Sequence, residues 1–318
     1  MGHELGIGVK YPTFFILHHQ NKGKPIFSAL MNNGWRYQER KPDVSFFDHT
    51  LNRGQPDTSR TILKRLYNEG SKIITYPHGA TGAWWLDGDM FHPDKHVCCD
   101  LVISEGQKHI AEIIDPDTKH EVIGWSLCPQ KKFEKPKKLL RILFASIHPP
   151  ERSEFRPEAK AANTRIDKAL SKLTGNHQII YRHINSLEAN GLVNNQRAIY
   201  VRGKPDGSYV DIDNADLVIA EGTYMYMAVA RGKPVIGINQ HLPIRANNSK
   251  LRFEPKQWEK YGEYQAYPID FDDGELVDLI EMAISEEQTE WRSRFIGNQM
   301  DEKIFSDLIH KIRYGIEW

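Results

Sequence analysis

Residues 76 to 82, Tyr-Pro-His-Gly-Ala-Thr-Gly, follow an apolar run, KIIT, that ends at the Tyr76-Pro77 stop. A histidine on a glycine-punctuated turn at a strand's end is presented at a sheet edge, facing whatever lies across a cleft. Its ordinary pKa, near 6.5, suits a general base that takes a proton from an acceptor hydroxyl. His78 is therefore the candidate base; a structural or surface histidine is the plainer alternative. Three further strand ends carry groups suited to anions. In ADLVIAEGTYMYMAVARGKPVIGIN, residues 215 to 239, an apolar run enters Glu221-Gly222-Thr223 and a helix follows. Gly222 lets backbone approach a ligand closely, and the helix start offers unpaired N–H groups and a positive dipole end, a setting for a diphosphate. The alternative is that Glu221 and Thr223 only cap the helix. Upstream, QIIYR ends in Arg182-His183, and LLRILFAS ends in Ser146-Ile147-His148-Pro149-Pro150 with Arg152 close behind. Arginine and histidine there can hold phosphate oxygens by charge-assisted bonds.

For these residues to meet, the strands must be parallel and end on one edge. Apolar runs of four to six residues alternate with segments of helical period throughout the chain, the pattern of βαβ units. Strands are expected at 14–17, around Trp35, and at 44–47, 72–75, 101–104 and 121–124, then at 139–146, 178–182, 198–201, 216–220 and 234–238. Helices are expected at TSRTILKRLYNEG, over about 18 residues ending at Gly175, and in ELVDLIEMAISEE, TEWRSRFIG and EKIFSDLIHKIRYGIEW near the C-terminus. The segment DLVISEG at 100–106 returns as DLVIAEG at 216–222. That is the same strand-to-helix junction in two successive βα series, so the fold class is α/β with two tandem Rossmann-like domains facing across a cleft. The expected boundaries are 1–130 for the first Rossmann-like domain, 131–138 for a basic linker, 139–290 for the second, and 291–318 for C-terminal helices packing back on the first domain; the resemblance given below implies an acceptor role for the first and a nucleotide-donor role for the second. The first junction has little phosphate-binding equipment, and Glu105 and Gly106 there read as a cap for the helix QKHIAEII or as acceptor-side groups. Gly79 and the aromatic pair Trp84-Trp85 are also candidates for the acceptor side, because sugars and bases stack on such rings; a lid over the first core is the alternative. Residues 240–268 look irregular, and a loop that long is more often functional than idle.

Composition limits the rest. The chain has 318 residues, 42 basic and 42 acidic, which argues against a surface adapted as a whole to nucleic acid or anionic lipid. Three cysteines, two of them adjacent, fit a reduced, cytoplasmic setting. No apolar stretch approaches the roughly 20 residues that span a bilayer, and the N-terminus lacks a signal-peptide pattern. The segment KKFEKPKKLLR reads as a solvated hinge, or else as an attractor for an acidic polymer, a membrane surface or DNA. Asp87-Gly88-Asp89 lies in a loop rather than at a nucleotide-binding strand end. His92, His96, Cys98 and Cys99 match no standard zinc spacing, so no metal site is expected. Gly6-Ile7-Gly8 precedes a strand instead of following one, and a dinucleotide fingerprint is absent.

The strand-end Arg-His followed by ADLVIAEGTYMYMAVARGKPVIG resembles the donor-binding half of GT-B glycosyltransferases. Within that superfamily it is most similar to the CDP-glycerol glycerophosphotransferase (teichoic-acid polymerase) and capsule-polymer transferase type. The family's Ser/Thr at the helix start, its acidic residue and its Gly-Lys-Pro turn map to Thr223, Glu221 and Gly232-Lys233-Pro234. Its strand-end His-Pro is His183-Ile184 here, and its Pro-Thr-x-x-Arg is only loosely echoed by Ser146 to Arg152. The resemblance covers about two thirds of the chain. It implies GT-B architecture and metal-independent transfer of a sugar or an alditol phosphate from a nucleotide-sugar or CDP-alditol donor, with no cofactor. His78 would be the base, and Ser146, His148, Arg152, Arg182, His183, Glu221, Gly222 and Thr223 would hold the donor. The acceptor classes left open are a glycan, a lipid-linked polymer reached by peripheral membrane contact, a protein and modified DNA; oligomeric state is open too. Two other readings keep the fold: a nucleotide-sugar 2-epimerase, and a non-catalytic polymer-binding module.

Overall fold

The computed structural model describes residues 11–17, 23–48, 57–76, 98–105, 119–139, 141–145, 156–183, 191–192, 198–202, 209–238, 264–266, 273–293 and 295–314. The first sheet has the order β2-β1-β3-β4-β5-β6. Its strands are β1 (Thr13–Leu17), β2 (Arg36–Tyr37), β3 (Val44–Asp48), β4 (Lys72–Tyr76), β5 (Leu101–Ser104) and β6 (His120–Val122). Every pair is parallel. Runs such as Val44–Phe47 and Leu101–Ser104 are buried without alternation, because helices cover both faces of a parallel sheet. Helix α1 (Gly23–Asn32) lies against β1, and α2 (Asp57–Asn68) links β3 to β4. Leu63 and Leu66 of α2 pack on Phe15, Phe47 and Ile73.

The second sheet is also parallel, with the order β12-β11-β10-β7-β8-β9. It comprises β7 (Arg141–Ala145), β8 (Gln178–His183), β9 (Ala198–Arg202), β10 (Leu217–Ala220), β11 (Val235–Ile238) and β12 (Gln265–Ala266). Its helices are α3 (Arg156–Ser171), the single turn α4 (Val210–Asp213), α5 (Gly222–Ala230), α6 (Asp273–Ser285) and the short α7 (Thr289–Arg292). The chain builds β7, β8 and β9 outward in one direction, then returns to the other side of β7 to place β10, β11 and β12. This is the doubly wound order with its switch point between β7 and β10, the place where open α/β sheets take ligands.

The structure departs from the sequence reading at several element ends. β6 stops at Val122 because Gly124 takes φ +85, and a Cβ there would sit 2.7 Å from the Asn298 carbonyl oxygen. The stretch 240–268 is not wholly irregular, since Gln265 and Ala266 pair with Gly237 and Ile238. TEWRSRFIG makes only the four residues of α7.

Two crossings join the domains and run side by side. Trp125 N–H donates to the Asn298 carbonyl at 2.6 Å, and Met300 N–H returns a bond to the Trp125 carbonyl at 2.9 Å. The Trp125 indole is fully buried in the second core together with Cys128, Trp291 and Phe295. Beyond the second crossing, α8 (Glu302–Tyr314) places Phe305, Ile309 and Ile312 in the first core. Trp35 donates to Ser306 Oγ at 2.9 Å there. The chain's end thus completes the domain that its beginning started.

Residues 131–138 are not a loose tether. Lys131 N–H donates to the Ala230 carbonyl at 2.8 Å and Glu134 N–H to the Gly232 carbonyl at 3.0 Å. Lys131 Nζ is 3.1 Å from Asp213 Oδ2, and Lys135 Nζ donates to the Ser285 carbonyl at 2.6 Å. Phe133 lies under the Arg292 guanidinium, 4.9 Å from ring to charge. Two of the basic side chains that could have attracted a polymer, Lys131 and Lys135, therefore bond within the second domain.

Candidate functional site

The strand register sets the site. Arg182 pairs with Ala145 and Val201, while Ile219 pairs with Phe144, one residue before each strand's end. Paired residues in a parallel sheet point to the same face. Arg182 therefore shares its row with Ala145. Glu221 follows directly and turns the chain into α5. It adopts φ −111 and ψ 166, extended, and its side chain makes no capping hydrogen bond to the helix. That removes the reading of Glu221 as a simple cap. No acidic residue stands in the first turn of α5 either, so the positive end of its dipole has no built-in carboxylate.

The side chain of Arg182 reaches this helix start. Its guanidinium lies 4.4 Å above the ring of Tyr224, the third residue of α5. Arg182 Nε is 3.9 Å from Asp211 Oδ2 on α4, and the two side chains are 11% and 31% exposed. The Tyr224 hydroxyl is buried without a hydrogen-bond partner. Burial pushes the phenol's pKa up, Arg182 opposing and Asp211 adding to the shift, so the ring stays neutral beneath the cation. A guanidinium, a helix start and the end of the switch-point strand are thereby gathered on one sheet edge. This arrangement can bind a compact, multiply charged anion such as a diphosphate.

His183 is not brought alongside Arg182. Successive strand residues face opposite ways, and the His183 ring lies on the side of Tyr200, 6.5 Å between centroids. That face is filled by Tyr181, which stacks on Tyr200 at 5.2 Å and bonds through its hydroxyl to Asp167 of α3. Thr223 stands in the first turn of α5, half-buried, and Gly222 opens it. Glu105 is 2% exposed and accepts a hydrogen bond from Ser126 Oγ at 2.9 Å, so it faces the first crossing between domains. His78, Gly79, Trp84, Trp85, Ser146, His148 and Arg152 lie outside the described residues, as do Gly106, Asp87, Asp89, His92 and His96.

The Gly-Lys-Pro turn belongs to the opposite, amino-terminal edge of the second sheet. Gly232 has φ +76, and a Cβ on it would overlap the Lys132 carbonyl oxygen. Arg231 just before it is 5% exposed and forks onto Asp213, at 2.8 Å from Nε to Oδ1 and 2.6 Å from Nη2 to Oδ2. This motif fastens the 131–138 segment to α5 and makes no part of the switch-point site.

Cys98 and Cys99 stand just before β5. Cys99 donates to Thr75 Oγ1 at 3.3 Å and to the Leu101 carbonyl at 3.2 Å. Burial pushes its thiol up to about 11 and that of Cys98 up to about 12, so both keep their protons. No group of three or more potential metal ligands occurs among the described residues. No helix among them is long and apolar enough to cross a membrane. Sequence reasoning missed Tyr224 and Asp211. The aromatic at the third position of a helix that follows a strand-end Glu-Gly-Thr was a signal for Tyr224; nothing local marks Asp211.

No family model matches this chain, and no curated protein matches it. Solved structures do. A glycotransferase of kitacinnamycin superposes with a TM-score of 0.57 at 11% identity, covering 95% of this chain and 99% of that one. The glycosyltransferase SnogD from Streptomyces nogalater gives 0.56 at 10% identity, covering 95% and 100%. The lipopolysaccharide outer core galactosyltransferase WaaB gives 0.51 at 12% identity, covering 96% and 99%. At such identities the likeness establishes the fold. Two parallel α/β domains joined by paired crossings, matched along almost their whole length to these proteins, define a GT-B architecture.

Proposed function

We propose that the protein is a glycosyltransferase that binds a nucleotide-activated donor at the switch point of its second domain and transfers a sugar to an acceptor hydroxyl held against the first. The observation that carries this reading is the Arg182 guanidinium lying 4.4 Å over Tyr224 in the first turn of α5, beside the strand-end Glu221. A diphosphate there meets a fixed cation and the helix's first N–H groups, with Thr223 beside them. These groups stabilise the leaving diphosphate as its bond to the sugar breaks, without a metal ion or other cofactor in the scheme. His78 is assigned as the base that takes the acceptor's proton as that oxygen bonds to the sugar carbon, with Gly79, Trp84, Trp85 and Glu105 on the acceptor side. Ser146, His148 and Arg152 are assigned to the donor, whereas His183, on the opposite face of β8 from Arg182, is left out of the phosphate site. Transfer of an alditol phosphate from a CDP-alditol is the narrower variant suggested by the sequence resemblance. The proteins that share the fold bear the names of glycosyltransferases, which supports sugar transfer in general.

A thermal-shift screen with CDP, UDP, GDP and CMP tests the donor site, because a ligand of the native state raises apparent stability. One diphosphate is expected to raise Tm by more than its monophosphate does, and Arg182→Ala to abolish the shift. No response to any nucleotide refutes the reading. With the responding donor class in hand, His78→Ala should abolish turnover and leave nucleotide binding near wild type.

A further inference from the structure

A tyrosine's one polar atom ordinarily finds a partner when it is buried, because an unmade bond there costs stability. Three buried tyrosines of this chain follow the rule. Tyr76 donates to the Leu17 carbonyl at 3.3 Å, and the hydroxyls of Tyr181 and Tyr264 bond to the carboxylates of Asp167 and Glu286. The Tyr224 hydroxyl does not; it is buried with no hydrogen-bond partner. One other buried side-chain atom among the described residues shares that condition, Arg292 Nη1, and its guanidinium still donates through Nη2 to the Val229 carbonyl at 2.5 Å. Tyr224 is the third residue of α5, in the turn that opens at the carboxyl edge of the second sheet, with the Arg182 guanidinium 4.4 Å over its ring. Burial raises the phenol's pKa, so the hydroxyl keeps its proton and can donate. Asp211, although close enough to act on the phenol electrostatically, accepts no bond from it. A donor at a helix start, on a ring stacked against a cation, suits an acceptor oxygen that carries negative charge.

Resting on the donor-site reading above, we infer that Tyr224 touches the bound donor directly, its hydroxyl donating a hydrogen bond to a phosphate oxygen of the nucleoside diphosphate. The unmade bond is then a penalty in the free protein that binding relieves, and it favours ligands with an oxygen that reaches the first turn of α5. The donor is fixed in advance by its ring, so little reorganisation accompanies the contact. A hydroxyl present only for packing would behave in the opposite way: its removal would lower stability and leave binding alone.

The test is Tyr224→Phe in the full chain, which removes one oxygen and keeps the ring under Arg182. Stability and binding must move apart. The Tm of the ligand-free variant is expected at or above wild type, because the lost hydroxyl had no partner; removing a bonded one would lower Tm by roughly 2–4 °C. Titration calorimetry with UDP, CDP and GDP, taking forward whichever binds wild type best, should give a Kd about tenfold weaker for the variant, the scale of a hydrogen bond to a charged group. The phosphorus NMR spectrum of that nucleotide at saturation should differ between wild type and variant, since the bond is to phosphate. A fall in Tm of the size just given overturns the inference, as does a Kd within about twofold of wild type, or phosphorus spectra that coincide. If wild type binds none of the nucleotides, the donor reading falls and this inference with it; if wild type binds and the variant shows any of these three results, only the inference falls.

Discussion

Arg231→Met is the most informative perturbation of the framework around the site. Methionine keeps most of the apolar stem and removes every donor. Three bonds of 2.6 to 2.8 Å disappear, together with a guanidinium stacked 4.5 Å from the Tyr209 ring. Two acceptors lose their main partner. The Pro129 carbonyl is one, and the Asp213 carboxylate, 24% exposed, keeps Lys131 at 3.1 Å as its remaining side-chain partner among the described residues. Breaking a buried ion pair by deleting one partner costs about 3–5 kcal/mol, and the partial exposure of Asp213 places this case near 3 kcal/mol. For a domain of this size that corresponds to roughly 6–12 °C in Tm. The assay is scanning calorimetry with the two domains' transitions resolved, since a two-domain chain has no single ΔG of unfolding. The loss should fall on the second domain. Its pH dependence fixes the cause. Hydrogen bonds from Arg231, with Lys131 assisting, hold the Asp213 carboxyl below its usual range. The stabilisation is then fully present above the unfolded carboxylate pKa, about 4, and is lost as pH falls through the lower folded value. The gap between wild type and variant must therefore close in acid. A gap under about 1 kcal/mol at pH 7, the scale of a surface pair, or one that widens on acidification, would refute the reasoning.

Gly232→Ala should cost about 2–5 kcal/mol, combining left-handed strain with a Cβ forced against the Lys132 carbonyl. Gly70→Ala, at φ +88 with nothing within 4 Å of the new methyl, should cost only the strain of about 1–2 kcal/mol; equal effects in urea unfolding would contradict the packed 131–138 segment. His120, half-buried with its Nε2 2.7 Å from Ser104 Oγ, is pushed down to about 4 by desolvation. Its ring should stay neutral in an NMR titration until pH nears 4. Because the unfolded histidine takes its proton near 6.5, this group costs the fold stability as pH falls through that window, and His120→Gln should flatten the loss.

Much of the fold was legible because parallel strands buried on both faces leave unbroken apolar runs, and each of the expected strands from Phe14 to Val235 has a counterpart within a few residues. The doubled DLVI-Glu-Gly junction likewise marked two domains. Short elements escaped: two-residue β12 has no periodicity to read, and α7 ends after one turn where TEWRSRFIG looked longer. At the site, sequence named Arg182, Glu221 and Thr223 from residue types at strand ends. It placed His183 with Arg182, although strand alternation sends the two to opposite faces.

The sequence by itself therefore determined the local chemistry: which runs become strands, where each strand ends, and which polar residues stand at those ends. These are properties of neighbours along the chain, set by side-chain period and backbone permissiveness. Only the tertiary structure decided which ends meet. The order of strands around β7 puts Glu221 at the switch point, and the packing of α5 places Tyr224 under Arg182. The pairing of the two crossings drives Trp125 into one core and Ile309 into the other. The 131–138 segment, charged enough to look like a solvated hinge, is fastened because Ala230, Gly232 and Asp213 are folded up against it. Contacts between residues a hundred or more positions apart depend on how whole layers stack, and no local spacing encodes that.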